Sequence, residues 1–423
     1  MSQPVVLVLA GGVSSRFWPL RDKLLIPFGS QSLLERHLRA LSGLGCDRMV
    51  VVTRPDLAET VQQIGRAVRG DIRVAVQTEA RGMADAVLSA RPVLEAFGDG
   101  PLYITQAHDV VERRLHAAML DAWSNHSAGT AGLVAAVRVQ TYFPGGYLTL
   151  KGDQVTSVVE KPGAGNEPSE LINLVAHIHS SWLALAQALR FATAHGEGDD
   201  AYERALTTLM ETSDYYAHVY DGRWQGLKYP WHLLDVMDLL FELWTRGEES
   251  PGDEYQQREP GVFVANGVRI FPGAHVAAPT LLGPHSVVGN NALVRGSIVG
   301  AGAVVGFGSE IARSYLSAEV ELHHNYVGDS VFDRASSMGY GATTANYRID
   351  GRTVPSMVGA LRIDSERMKL GLMLGAGTKI GVNTSTMPGV KIGANALIGP
   401  MIRVTKDVPD GERVLDEDVY GRL

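Results

Sequence analysis

Cysteine is almost absent from this 423-residue chain: Cys46 stands alone. A single thiol excludes a disulfide framework and a cysteine zinc site. Long apolar runs are missing too, and none approaches the length of a membrane span. The first apolar stretch, "VVLVLA", is too short for a signal peptide and lacks its charged start. A reducing cytoplasm and no membrane partner are therefore expected. Positive charge is not in excess either. The formal net charge of −8 argues against nucleic acid as a partner, because counterion-releasing phosphate contacts need basic patches.

The chain is too long for one ordinary core, so two or three domains are expected. Its rhythm changes once. Up to about Trp244, β-branched runs ("VVLVLA", "RMVVVT", "IRVAVQ", "PLYIT", "AGLVAAV") alternate with stretches of helical spacing such as "QSLLERHLRALSGL", "DLAETVQQIGRAVR" and "GMADAVLSARPVLEAF". Such alternation implies a mostly parallel sheet covered on both faces, with ligands at the carboxyl ends of its strands. The charged, Pro/Gly-containing stretch "RGEESPGDEYQQREPG" reads as a linker. Beyond it Val276, Leu282, Val288 and Val294 fall six apart, and after a one-residue slip Val299, Val305 and Ile311 resume the period. Leu374, Ile380, Ile392, Ile398 and Val404 keep the same register, with Thr386 at the one weak position. Hexapeptide repeats of this kind specify a parallel β-helix whose flat outer faces invite self-association. The stretch "NYRIDGRTVPSMVGALRIDSERMK" breaks the pattern and should leave the helix as a loop. The expected organisation is an α/β domain over 1–245, a linker over 246–260 and a β-helix over 261–423 with an inserted loop near 347–369.

The opening "LAGGVSSRFWPLRDKLLIPFG" combines a two-glycine turn with Arg16 and Lys23. Successive backbone N–H groups in such a turn form an anion-binding nest, and a guanidinium can reach the same place with paired donors. A polyphosphate fits that set. Here the sequence resembles the sugar-1-phosphate nucleotidylyltransferases, whose usual opening is a Gly-Gly loop, an Arg, a "PL" and a Lys, and the likeness spans the amino-terminal half. The resemblance implies a Rossmann-like domain. It puts Ala10, Gly11 and Gly12 at the nucleotide, Arg16 and Lys23 at its phosphates, and Gln77 and Gly82 of "VQTEARGMADAV" at the nucleobase edge. Asp109 of "YITQAHDVVE" becomes the magnesium ligand. Glu160 and Lys161 of "VVEKP", with Gly146 of "GGYL" and Asn173 of "LINLVAH", become the sugar-phosphate contacts. One departure stands out. The family's second metal-binding Asp is replaced by Gly226 in "RWQGLKYPWHLLDVMD", a later Asp is His232, and Asp235 would sit on the following helix.

In the second half, "HHNYVGDSVFDRASSMGYGATTANY" resembles the acyltransferase segment of bifunctional enzymes that make UDP-N-acetylglucosamine, especially those of archaeal type. The resemblance implies a left-handed β-helix with His323 as base, Tyr326 and Asn346 lining an amino-sugar site, and Lys369 at the sugar phosphate. It also implies acetyl-CoA as donor, bound between adjacent prisms of a homotrimer or a multiple of one. No lysine occurs between Gln256 and Lys369, so Arg313, Arg348 or Lys369 itself must anchor the phosphate. A histidine can take the proton of a sugar amine as it attacks a thioester.

Three readings follow. The chain is a Mg²⁺-dependent enzyme joining a nucleoside triphosphate (UTP or dTTP favoured) to a sugar-1-phosphate and acetylating an amino-sugar-1-phosphate. Alternatively, its β-helix only assembles or regulates it, or it is a non-catalytic nucleotide-sugar sensor, as Gly226 suggests. Neither the base nor the sugar is fixed by these residues.

Overall fold

The computed structural model describes residues 3–196 and 200–416, so the last seven residues of the expected β-helix lie outside the described part. By its contacts the chain falls into two compact units: Met1–Val13 with Leu33–Trp224, and Ser14–Ser32 with Gln225–Leu423.

The first unit is built on a nine-stranded sheet. Its strands are β1 Val5–Leu9, β2 Arg48–Thr53, β3 Asp71–Val76, β4 Leu102–Gln106, β5 Gly132–Arg138, β6 Gly146–Lys151, β7 Gln154–Glu160, β8 Leu171–His179 and β9 Tyr215–Tyr220, in spatial order β3-β2-β1-β4-β8-β5-β9-β7-β6. The first four run parallel, with Leu7 opposite both Val50 and Ile104. β8 joins antiparallel to β4. All five residues of β1 are buried because both faces of the sheet are covered. Val5, Leu7 and Leu9 share a core with Trp182, Leu185 and Leu189 of the helix Trp182–Ala194. β3 departs from the reading of "IRVAVQ" as a buried strand: only Ala75 is buried, because this strand ends the sheet and has a neighbour on one side only.

The second unit contains the β-helix. Two-residue strands stack in parallel on three faces, as the hexapeptide period requires. Val288, Val305, Leu322, Met338, Ile380 and Ile398 follow one another on one face. Val294, Ile311, Val327, Thr344, Thr386 and Val404 do so on the second, and Leu282, Val299, Leu316, Phe332, Leu374 and Ile392 on the third. These side chains are buried and form the left-handed prism's core. The slip at Val294–Val299 recurs in later coils, and the shortened corner is turned by Gly296, Arg313 and Asp329, all with left-handed φ near +50 to +60°. Within the interrupting stretch, Pro355–Val358 and Leu361–Asp364 pair as an antiparallel hairpin, a two-stranded sheet separate from those of the prism. Within the expected linker, Tyr255–Glu259 is a strand paired with Val262–Ala265. The apolar helix His232–Thr245 also belongs to this unit.

So does the segment Ser14–Ser32. Tyr315 of the β-helix donates through its hydroxyl to Pro27 O at 2.7 Å and packs its ring 5.4 Å from that of Phe28. Ser30 N–H donates to Pro251 O at 2.8 Å.

Candidate active site

In the first unit, β1 ends at Leu9; Ala10 follows, its N–H donating to Val52 O, and Gly11 and Gly12 come next at the carboxyl edge of the parallel strands. A Cβ at Gly11 would lie 2.8 Å from Oε1 of Gln77, whereas one at Gly12 would meet nothing within 4 Å. Gln77 leaves the end of β3 and is itself buried. Its Nε2 donates to Gly82 O at 3.2 Å and to Asp85 Oδ2 at 2.8 Å. Gly11, Gln77 and Gly82 therefore meet, and Asp85 joins them as a group the sequence did not single out.

A second cluster gathers where β6 and β7 pair. Gly146 stands opposite Glu160, and a Cβ there would lie 2.9 Å from Val158 Cγ1, 3.2 Å from Glu160 Oε2 and 3.6 Å from the Asn173 Cβ. Lys161 pairs with Glu160 at 2.7 Å and donates its backbone N–H to Gly145 O. Behind Asn173 lies a buried relay that sequence reasoning missed. His177 Nε2 is 2.6 Å from Asn173 Oδ1, and His177 Nδ1 is 2.9 Å from the Tyr202 hydroxyl. Burial drives the His177 imidazole down to about 3, so the ring is neutral at physiological pH. With the amide oxygen toward it, Nε2 carries the proton and donates, and Nδ1 accepts from Tyr202. The only signal in the sequence was the pair of histidines, His177 and His179, on a largely apolar strand.

Asp109 begins the short strand Asp109–Val111, and its Oδ1 accepts from Trp224 Nε1 at 3.1 Å. Mg²⁺ takes one or two protein carboxylates, with substrate phosphates and water completing its shell, and the partly buried Asp109 carboxylate is a donor of that type. No group of three His, Cys, Asp or Glu side chains suited to a metal occurs among the described residues.

The remaining nucleotide-loop residues are in the second unit. Arg16 is exposed on the turn Ser15–Phe17, and Lys23 Nζ donates to Leu227 O at 2.9 Å. Gly226, at the missing-carboxylate position, accepts through its carbonyl from His232 Nδ1 at 2.8 Å, and burial lowers that imidazole to about 4. Asp235 lies in the first turn of the helix His232–Thr245 and pairs with Arg367.

On the β-helix, His323 opens into a groove of about 420 Å³ lined by Gly306, Phe307, Glu321, His324 and Tyr340. His324 stacks between Phe307 and Tyr340, with ring centres 5.9 and 5.1 Å apart. Tyr326 and Asn346, which are not among the residues lining that groove, meet each other: Asn346 Nδ2 lies 3.1 Å from the Tyr326 hydroxyl and donates to Asp329 Oδ2 at 2.5 Å. Asp329 is buried and takes two bonds of 2.7 Å from Arg313. No hydrogen bond joins His323 to either Tyr326 or Asn346 among the described residues. Lys369 is exposed at the base of the hairpin, bridged to Tyr347. The Arg313–Asp329 pair belongs to the shortened corner, where two non-glycine residues hold left-handed backbone.

An α/β sheet with a glycine turn after its first strand, followed by a hexapeptide prism, defines an α/β domain with a β-helical tail. The chain belongs to the nucleotidyl transferase family, whose pattern matches residues 5–232. Over nearly its whole length it is similar to a bifunctional sugar-1-phosphate nucleotidylyltransferase/acetyltransferase of Sulfurisphaera tokodaii, at 25% identity over 415 residues, 96% of this chain and 98% of that protein. It is also similar to proteins named bifunctional protein GlmU. The one from Paramagnetospirillum magneticum is 27% identical, covering 97% of this chain and 92% of that one. The one from Methanocaldococcus jannaschii is 23% identical, covering 99% of each.

Proposed function

We propose that the chain is a two-site enzyme of nucleotide-sugar synthesis, transferring a nucleotidyl group to a sugar-1-phosphate in its first unit and an acetyl group to an amino sugar on its β-helix. The observation that carries the reading is the pair of clusters on one sheet: Gly11, Gln77 and Gly82 at the parallel edge, and Gly146, Glu160, Lys161 and Asn173 along β6–β8. Gln77 and the glycine turn take the nucleoside triphosphate, with uracil or thymine favoured. Lys161 and Asn173 take the sugar-1-phosphate. An oxygen of the sugar phosphate attacks the α-phosphorus, the bond to the β-phosphate oxygen breaks, and pyrophosphate leaves. Such a transfer needs alignment and charge neutralisation rather than covalent help from the protein. Arg16 and Lys23 offset charge on the phosphates. Asp109 holds Mg²⁺, which when bound supplies further neutralisation there.

On the β-helix, the amine of a glucosamine-type phosphate attacks the carbonyl of acetyl-CoA, His323 takes its proton, and the CoA thiol leaves. Tyr326 and Asn346 hold the sugar, Asn346 and nearby amides the oxyanion, and Arg313 or Lys369 the phosphate. Assembly as a trimer through the prism would bring a second copy beside the His323 groove.

The test is pyrophosphate release with Mg²⁺ over four triphosphates and a set of sugar-1-phosphates, together with CoA-thiol release from acetyl-CoA and glucosamine-1-phosphate. Turnover in the first assay and its loss in Arg16→Ala support the nucleotidyl site. Loss of thiol release alone in His323→Ala supports the second. Silence across the whole first screen would instead favour the binding-only reading that Gly226 suggests.

A further inference from the structure

The segment that carries Arg16 and Lys23 is fastened to the last coils of the β-helix. Trp18 Nε1 donates to Asp410 Oδ1 at 2.8 Å, and Arg21 donates to the other carboxylate oxygen, also at 2.8 Å. Asp410 Oδ1 accepts in addition from Ala394 N–H at 3.0 Å, which ties the carboxylate to its coil. The Trp18 ring rests on the ammonium of Lys391, 5.0 Å from its centre, a cation–π arrangement. That ammonium is itself buried, donates to Met357 O and lies 3.6 Å from Asp407, so it offers a fixed support. All of these residues belong to one compact unit.

Stability alone does not account for this arrangement. The Arg21 and Asp410 side chains are 74% and 37% exposed, and an ion pair so open to water contributes little to stability. What two donors on two oxygens of one carboxylate do supply is direction. Trp18 and Arg21 lie between Arg16 and Lys23 in the chain, so holding them fixes the backbone from which both cations extend.

Resting on the nucleotidyl reading above, we infer that Asp410 is a positioning group for nucleotidyl transfer, acting through Trp18 and Arg21 on the segment that presents Arg16 and Lys23 to the triphosphate. The β-helix then serves the first reaction as well as the second, through a residue 392 positions from Trp18. A charge displaced by about 1 Å from a reacting group can cost on the order of a hundredfold in rate.

The experiment is steady-state pyrophosphate release by the full chain, with Mg²⁺ and UTP or dTTP plus whichever sugar-1-phosphate the screen turns over fastest. Trp18→Phe keeps a ring over Lys391 and removes only the indole donor; Arg21→Gln removes an exposed cation and leaves the carboxylate's coil bond intact. In both, kcat should fall about tenfold or more while KM for the sugar-1-phosphate stays within about twofold. Thiol release at the acetyl site should be unchanged and the melting temperature should move by less than about 3 °C. Unchanged kcat in both variants, with Arg16→Ala inactive, overturns the inference and leaves the nucleotidyl reading standing. Equal losses in both activities also overturn it, since they mark general loosening. Full turnover by Arg16→Ala and Lys23→Ala would instead remove the underlying reading.

Discussion

A methyl group added at Gly11 would lie 2.8 Å from Oε1 of Gln77, closer than a real Cβ tolerates. The atom in the way is the far end of a side chain, so Gln77 can move, but only by giving up its bonds to Gly82 and Asp85. Gly11→Ala should therefore leave the fold intact and raise KM for the triphosphate about tenfold, the equivalent of one hydrogen-bonded contact. An unchanged triphosphate KM in initial-rate assays would separate Gln77 from the nucleobase. The Asn173 relay makes an opposite split. His177→Phe leaves the Asn173 amide free to rotate, so KM for the sugar-1-phosphate should rise about fivefold to tenfold while that for the triphosphate holds. Combined with Asn173→Ala the two effects should not add, because the histidine acts only through the amide. Additive losses in that double-mutant cycle would make His177 a packing residue and nothing more.

Among the β-helix elements, the inward positions were legible from the sequence because each repeat supplies its own strand and corner, and burial of one aliphatic is a local event. Even the weak position holds: Thr386 points inward, fully buried, and its hydroxyl has no hydrogen-bond partner among the described residues. A buried, unpaired hydroxyl costs about 1–3 kcal/mol. Thr386→Val keeps the shape and removes that cost, so the melting transition of the β-helix should rise by several degrees in calorimetry, and a fall would mean the hydroxyl is satisfied in solution. The Ser14–Ser32 segment was not legible in the same way. Its membership of the second unit rests on contacts such as Tyr315–Pro27 and Trp18–Asp410, between residues hundreds of positions apart that no local pattern links. The Asn173–His177–Tyr202 relay was hidden for a related reason. A histidine in "LVAHIH" shows its polarity, but not which partners a bulge in β8, between Leu174 and His177, turns it toward. Glycines and charged pairs in family order were visible; the buried groups that orient them were not.

At the scale of the whole chain, acid is the probe that tells the two units apart. Burial holds His116, His177 and His179 of the first unit at about 3, and lowers His37 well below its ordinary value. In the second unit burial lowers His232 to about 4. The folded rings stay neutral as pH falls from 7 to 5, whereas unfolded imidazoles take up protons below about 6.5. The unfolded state therefore binds more protons across that window, and stability drops with falling pH. By pH 5 each ring held at about 3 or 4 forfeits about 2 kcal/mol and His37 adds a loss of the same sign, while most carboxylates are still ionised and add little. Four such rings in the first unit against one in the second predict unequal losses. Calorimetry at pH 7 and pH 5 should show one transition falling by more than about 10 °C and another moving far less. Thr386→Val assigns them, because the transition it raises belongs to the β-helix. If the acid-sensitive transition is the one that this substitution moves, the four buried imidazoles are not what holds the nucleotidyl unit together at neutral pH.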